Sequence, residues 1–124
     1  MLATEIDAQE IVITLGGRDW TLRFDNTTIL KTEVCYAQAT GVRMGYLGIL
    51  TQAEQRLFSA LCPLCYGAVA SAEISAGVPP RERTPFKRFD AACGYLELMD
   101  QAEDVVDAAM CALYAGKSGA QKKA

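Results

Sequence analysis

Histidine is absent from the 124 residues. Its absence removes the commonest general acid/base at neutral pH and the commonest metal ligand, and with them any Ser-His-Asp triad. Basic charge is scarce as well: 12 Lys and Arg stand against 15 Asp and Glu, for a formal charge of −3. A domain that grips nucleic acid usually carries the opposite sign, so no nucleic-acid partner is expected. A long hydrophobic run is also missing. The longest uncharged apolar stretch, Leu57 to Ala72, contains Ser59, Pro63, Gly67 and Ser71. It is shorter than the roughly 18–20 residues that cross a bilayer, so it reads as a buried helix and no membrane partner is expected. Met1 to Glu10 has neither a basic leader nor an apolar core and holds three acids, so it does not read as a secretory signal. A cytoplasmic protein with free, buried thiols is the expectation for its five cysteines.

What is present suits one small domain. Apolar residues make up 51% of the chain and charged residues 22%, which excludes general disorder. A single domain is expected over 1–116, with a hairpin at 10–24, a helical body at 26–116 and a flexible tail at 117–124. Ile11, Ile13 and Leu15 alternate with polar or β-branched neighbours, as do Trp20, Leu22 and Phe24 with Thr21 and Arg23. Gly16-Gly17-Arg18-Asp19 between them supplies the turn of a β-hairpin with one apolar side. Asp25 to Thr28 offers N-caps for a helix in which Ile29, Leu30, Val34 and Ala37 recur at helical spacing until Gly41. Met44 to Leu50 reads as a short helix or packed turn. Thr51-Gln52-Ala53-Glu54 reads as a capping box that opens a long helix toward 72–76, with a kink or break near Pro63.

Gly77 to Arg83, with Pro79-Pro80, reads as a loop, and Thr84-Pro85 restarts a helix with Thr84 as N-cap. Phe86, Phe89, Cys93 and Leu96 form one buried stripe. A second helix from Asp100 to Tyr114 buries Val105, Val106, Ala109, Met110 and Leu113 and ends at Gly116. The fold class is therefore α+β: an N-terminal β-hairpin packed on a mainly helical body of four to five helices.

No constellation supplies a persuasive active site, so no enzyme activity and no cofactor are expected. Cys62-Pro63-Leu64-Cys65 has redox spacing, but it continues a helical pattern instead of following a strand, and no basic residue lies near to activate a thiol. A zinc site drawn from Cys62, Cys65, Cys93 and Cys111 lacks the second tight ligand pair. Asp100, Glu103, Asp104 and Asp107 share the outer face of an amphipathic helix and read as a solvated surface. Arg81, Arg83, Lys87 and Arg88 flank the proline loop, suited to an acidic segment of a partner or to the acidic run itself. The apolar surplus in Met44 to Leu50 and in 57–69 suggests a groove for an amphipathic helix, a homo-oligomer interface, or core. Tyr46, Leu47 and Leu50 are the candidate groove residues, dispensable for folding but required for binding, and Arg81 and Arg83 are the accompanying basic contacts.

The run Ile11 to Phe24, followed by a helix ending Ala37-Gln38-Ala39-Thr40-Gly41, resembles the opening of the tail assembly chaperones of long-tailed phages and their prophage and gene-transfer-agent relatives. In that group a Gly-Gly-(Lys/Arg)-x-aromatic-x-Leu-x-Phe hairpin feeds a helix that ends near Thr-Gly. Several more helices follow, in a chain of about this length. The likeness covers the hairpin and first helix, and extends beyond them only in helix order and size. It implies a non-enzymatic protein that coats the tape measure protein, keeps it soluble and helps recruit tail tube protein in the bacterial cytoplasm. It also implies absence from the mature virion. The alternatives are a small thiol-redox protein using Cys62 and Cys65, or a generic interaction or regulatory domain.

Overall fold

The computed structural model describes residues 8–114 in full and the backbone as far as Lys123. The chain forms an α+β fold in which a hairpin packs on five helices. β1 (Gln9–Leu15) and β2 (Arg18–Phe24) pair antiparallel with Leu15 opposite Arg18. Gly16 and Gly17 join them at φ 63° and 74°, and two successive left-handed residues give the tight turn whose twist matches the strands. The expected alternation holds: Ile13, Leu15, Trp20, Leu22 and Phe24 are buried, while Val12, Thr14 and Thr21 face solvent. The Trp20 indole donates to the Leu15 carbonyl at 3.1 Å, and its ring meets Phe89 edge-on at 5.0 Å.

The first helix, α1 (Asn26–Thr40), starts at Asp25 and ends at Gly41 as expected. Asp25 Oδ1 accepts from the Thr28 amide at 3.2 Å, and Thr28 Oγ1 accepts from the Asp25 amide at 3.1 Å. Ser71 Oγ and Arg23 Nε donate to the same carboxylate at 2.6 and 2.9 Å. One side chain thereby ties the hairpin, α1 and the central helix together. The buried face of α1 differs from expectation. Thr28, Thr32, Cys35 and Tyr36 point inward, whereas Leu30 and Val34 are exposed. The cause is close approach: a Cβ at Gly67 would lie 2.1 Å from Thr32 Oγ1, so only slim side chains fit between these helices.

The next two helices are divided differently from the expected pattern. α2 runs Tyr46–Glu54 and α3 runs Phe58–Ser75. Thr51 lies inside α2, its hydroxyl donating to the Leu47 carbonyl at 2.9 Å, so the expected capping box is not formed. The chain breaks at Arg56, whose φ is 64°, and continues through Pro63 as one helix. The bond that proline deletes belongs to Ser59, an exposed residue in the first turn of α3. Most of α3 is buried, as expected for its apolar run; it is the one helix among the described residues long and apolar enough to cross a membrane, and 67% of it is covered by the fold.

A 3-10 turn at Pro80–Glu82 leads to α4 (Phe86–Ala92) and α5 (Tyr95–Lys123). Pro85, not Thr84, precedes α4. Thr84 is turned inward, where its amide and hydroxyl donate to Glu73 at 2.9 and 2.6 Å and its carbonyl accepts from Tyr66. Leu96 is exposed instead of buried, because the break after Cys93 rotates α5 so that Leu98, Ala102, Val105 and Ala109 face the core. The backbone of α5 continues past the stop expected at Gly116, and the tail expected over 117–124 lies outside the residues described in full.

Candidate functional site

The cysteines are the sharpest chemical candidates in the sequence, and the fold buries four of them, leaving Cys111 exposed on α5, where a buried thiol was expected. Cys62 and Cys65 sit in the middle of α3, on no strand, and Cys35 and Cys93 are buried with them. A hydrogen bond with Cys93 and burial push the Cys62 thiol up, and burial does the same for Cys65. Burial, aided by the charge of Asp90, pushes Cys35 up to about 12. A redox thiol needs the reverse shift and an open face, so these behave as small apolar fillers. Among the described residues no group of three or more cysteine or acidic side chains is arranged to hold a metal ion.

The charged candidates remain at the surface. Asp100, Glu103, Asp104 and Asp107 line the exposed face of α5. Arg81, Lys87 and Arg88 are exposed, while the half-buried Arg83 donates to the Val78 carbonyl at 3.0 Å and so holds the turn after α3. Among the described residues the ion pairs are those of Arg23 with Glu10 and Asp25, so the basic group does not engage the acidic run.

The groove candidates separate. Tyr46 is 7% exposed and Leu50 is 2% exposed, whereas Leu47 is 58% exposed. Leu50 is therefore corrected from a partner-binding to a core residue, because α2 turns one face onto α3 and leaves Leu47 outside, while Tyr46 packs on the core and also lines a cleft beside Leu47. Burial also pushes the Tyr46 phenol up. Leu47 does not stand alone. A cleft of about 550 Å³ is lined by Leu30, Val34, Ala37, Arg43 and Met44. A second of about 520 Å³ is lined by Ile29, Tyr46, Leu47, Gly48, Leu113 and Tyr114, and Glu33 and Gly45 border both.

The two clefts adjoin at Glu33 and Gly45, which line both, and together are called the trough; its lining residues come from α1, the start of α2 and α5. Its floor is rigid. Glu33 Oε2 accepts from the Tyr46 amide at 2.8 Å, capping α2 from the side of α1 and placing a carboxylate at a helix N-terminus. Tyr36 adds a second tie, its hydroxyl donating to Gln52 at 3.0 Å. Such a trough can hold an amphipathic helix by apolar contact, with Arg43 at the rim for an acidic neighbour. Neither Arg81 nor Arg83 lines it.

Leu30 and Val34 are the residues that periodicity assigned to the wrong side. The signal that identifies them is the second stripe beside them, in which Thr28, Thr32 and Cys35 share the same spacing and match Gly67 and Ser71 in size. No protein-family model matches the chain, and no curated protein or solved structure matches it.

Proposed function

We propose that this chain is a binding protein that holds an amphipathic helix of a partner in the trough between α1, α2 and α5. We infer, from the resemblance of its hairpin and first helix to tail assembly chaperones, that the partner is a tape measure protein. In this reading the chain keeps that long helical protein soluble in the bacterial cytoplasm until tail tube subunits displace it, and it is left out of the finished particle.

One observation carries the reading: Leu30, Val34 and Leu47 stand exposed together along a trough, although the helix bearing the first two buries threonines instead. Apolar side chains at i and i+4 on one helix, joined by a third from the next, are the pattern of a groove that receives helical anchors. Co-expression with the tape measure protein tests it. A soluble complex is expected with the native chain, and its loss is expected when Leu30, Val34 and Leu47 are all changed to glutamate in a protein that still folds. A complex that survives the triple change would refute the site, and failure of the native chain to form one would refute the partner.

A further inference from the structure

The fold brings together a cysteine pair that sequence spacing does not suggest. Cys62 lies in the second turn of α3, and Cys93 follows the last residue of α4. Asp90 sets them side by side. Its Oδ1 accepts from the Cys62 thiol at 3.6 Å, and its carbonyl accepts from the Cys93 amide at 3.1 Å. The two thiols are themselves in hydrogen-bond contact.

The pair belongs to the rim of the core. Cys65, the other half of the C-x-x-C, is wholly buried, whereas Cys62 keeps 3% and Cys93 6% of its surface. Asp90 beside them is exposed, and so are Gly94 and Tyr95 just after Cys93. Three parts of the fold meet here. Cys62 belongs to α3, Cys93 sits in the break between α4 and α5, and the hairpin turn rests on the residue before it: a Cβ at Gly16 would lie 3.1 Å from Ala92 Cβ.

We propose that Cys62 and Cys93 are an oxidation site, at which a hydroperoxide closes an internal disulfide that staples α3 to the start of α5. Cys93, the more exposed of the two and outside any helix, reacts first: its sulfur takes one peroxide oxygen to become a sulfenic acid, and water leaves. The Cys62 sulfur then attacks the Cys93 sulfur. The S–S bond forms as hydroxide departs, and the proton that Cys62 shared with Asp90 completes a second water. Each sulfur gives up one electron, and the O–O bond takes both. Burial and the raised thiols make these steps slow, which is why the pair is no catalyst. They do not fix the endpoint, since rate follows thiolate and access while the equilibrium follows how closely the fold holds the two sulfurs. A reducing compartment keeps the pair open, and sustained oxidant closes it. The inference is independent of the trough and of its proposed partner.

Peptide mapping by mass spectrometry without reductant, after exposure to hydrogen peroxide, tests it. The full chain carrying Cys111→Ser is used, because that change removes the exposed thiol. One cross-linked pair of peptides is expected, bearing Cys62 and Cys93 and lighter by two hydrogens, in a protein that stays monomeric. The midpoint of urea unfolding should rise on oxidation and return with dithiothreitol. Adding Cys93→Ser should abolish both changes while leaving the circular dichroism spectrum as it was. A bond from Cys62 to Cys65 or Cys35, thiols that stay free or end as sulfinic acid after prolonged exposure, or a Cys93→Ser protein that still gains stability on oxidation would each overturn the proposal.

Discussion

α1 carries two stripes at the same helical spacing, and they divide labour in the opposite sense to their hydropathy. Thr28, Thr32 and Cys35 face α3, while Leu30, Val34 and Ala37 face the trough. Burial of apolar area would favour the reverse arrangement by a few kcal/mol. What decides it is the distance at which the helices cross. At Gly67 the axis of α3 comes so near that a leucine on α1 would find no space, and Asp25 locks this rotation by accepting from Ser71. Thr32 even leaves its hydroxyl without a hydrogen bond among the described residues. The result is a helix with two large apolar side chains, Leu30 and Val34, left at the surface.

The contrast can be broken most severely from the α3 side. Gly67→Ala puts a methyl group into Thr32 and should cost about 3 kcal/mol, measured by urea unfolding, because backbone atoms of Thr32 lie only 2.9 Å from the new Cβ. Asp25→Ala should follow at about 1–2 kcal/mol, since it removes the cap of α1 and the tie to Ser71 together. The same residue gives a pH signature. Burial works to raise the Asp25 pKa, but hydrogen bonds from Ser71, Arg23 and the Thr28 amide outweigh it and hold the carboxyl below its ordinary value.

A carboxylate lowered on folding stabilises the protein above its unfolded pKa of about 4, and that stability is lost as pH falls through the folded value. Thermal melts of the native chain should therefore fall more steeply below about pH 4 than those of Asp25→Asn. Tyr36→Phe, which deletes the bond to Gln52 at the inner edge of α1, should cost about 1 kcal/mol in the same unfolding assay. At the small end, Leu30→Ser and Val34→Ser should each change stability by less than about 0.5 kcal/mol, since both side chains already face solvent.

The parts of the fold that were legible in the sequence are those set by local geometry. Paired glycines between alternating strands define the hairpin, and Asp25 and Gly41 define the ends of α1. Where tertiary contacts decide, reading from the chain alone fails in specific ways. Thr51 and Glu54 have the spacing of a capping box, yet the N-cap of α2 lies six residues earlier, at Gly45, where Glu33, distant in sequence, takes the Tyr46 amide. Pro63 looks like a breaker, yet it falls early enough in α3 that the missing bond belongs to the exposed Ser59. Tyr46, Leu47 and Leu50 read alike as groove residues, and only the rotation of α2 on α3 separates the exposed one from the buried two. The trough was half legible: Tyr46 and Leu47 line it, but Leu30 and Val34 were hidden by the rule that the more apolar stripe faces inward.

Hydrogen exchange of the chain, free and mixed with the proposed helical partner, probes the outer stripe of α1 most directly. Slower exchange confined to residues 29–48 and to the α5 segment around Leu113, with α4 and the acidic face of α5 unchanged, is the predicted result. Protection that appears elsewhere and leaves 29–48 untouched would contradict the trough as the working surface of the molecule.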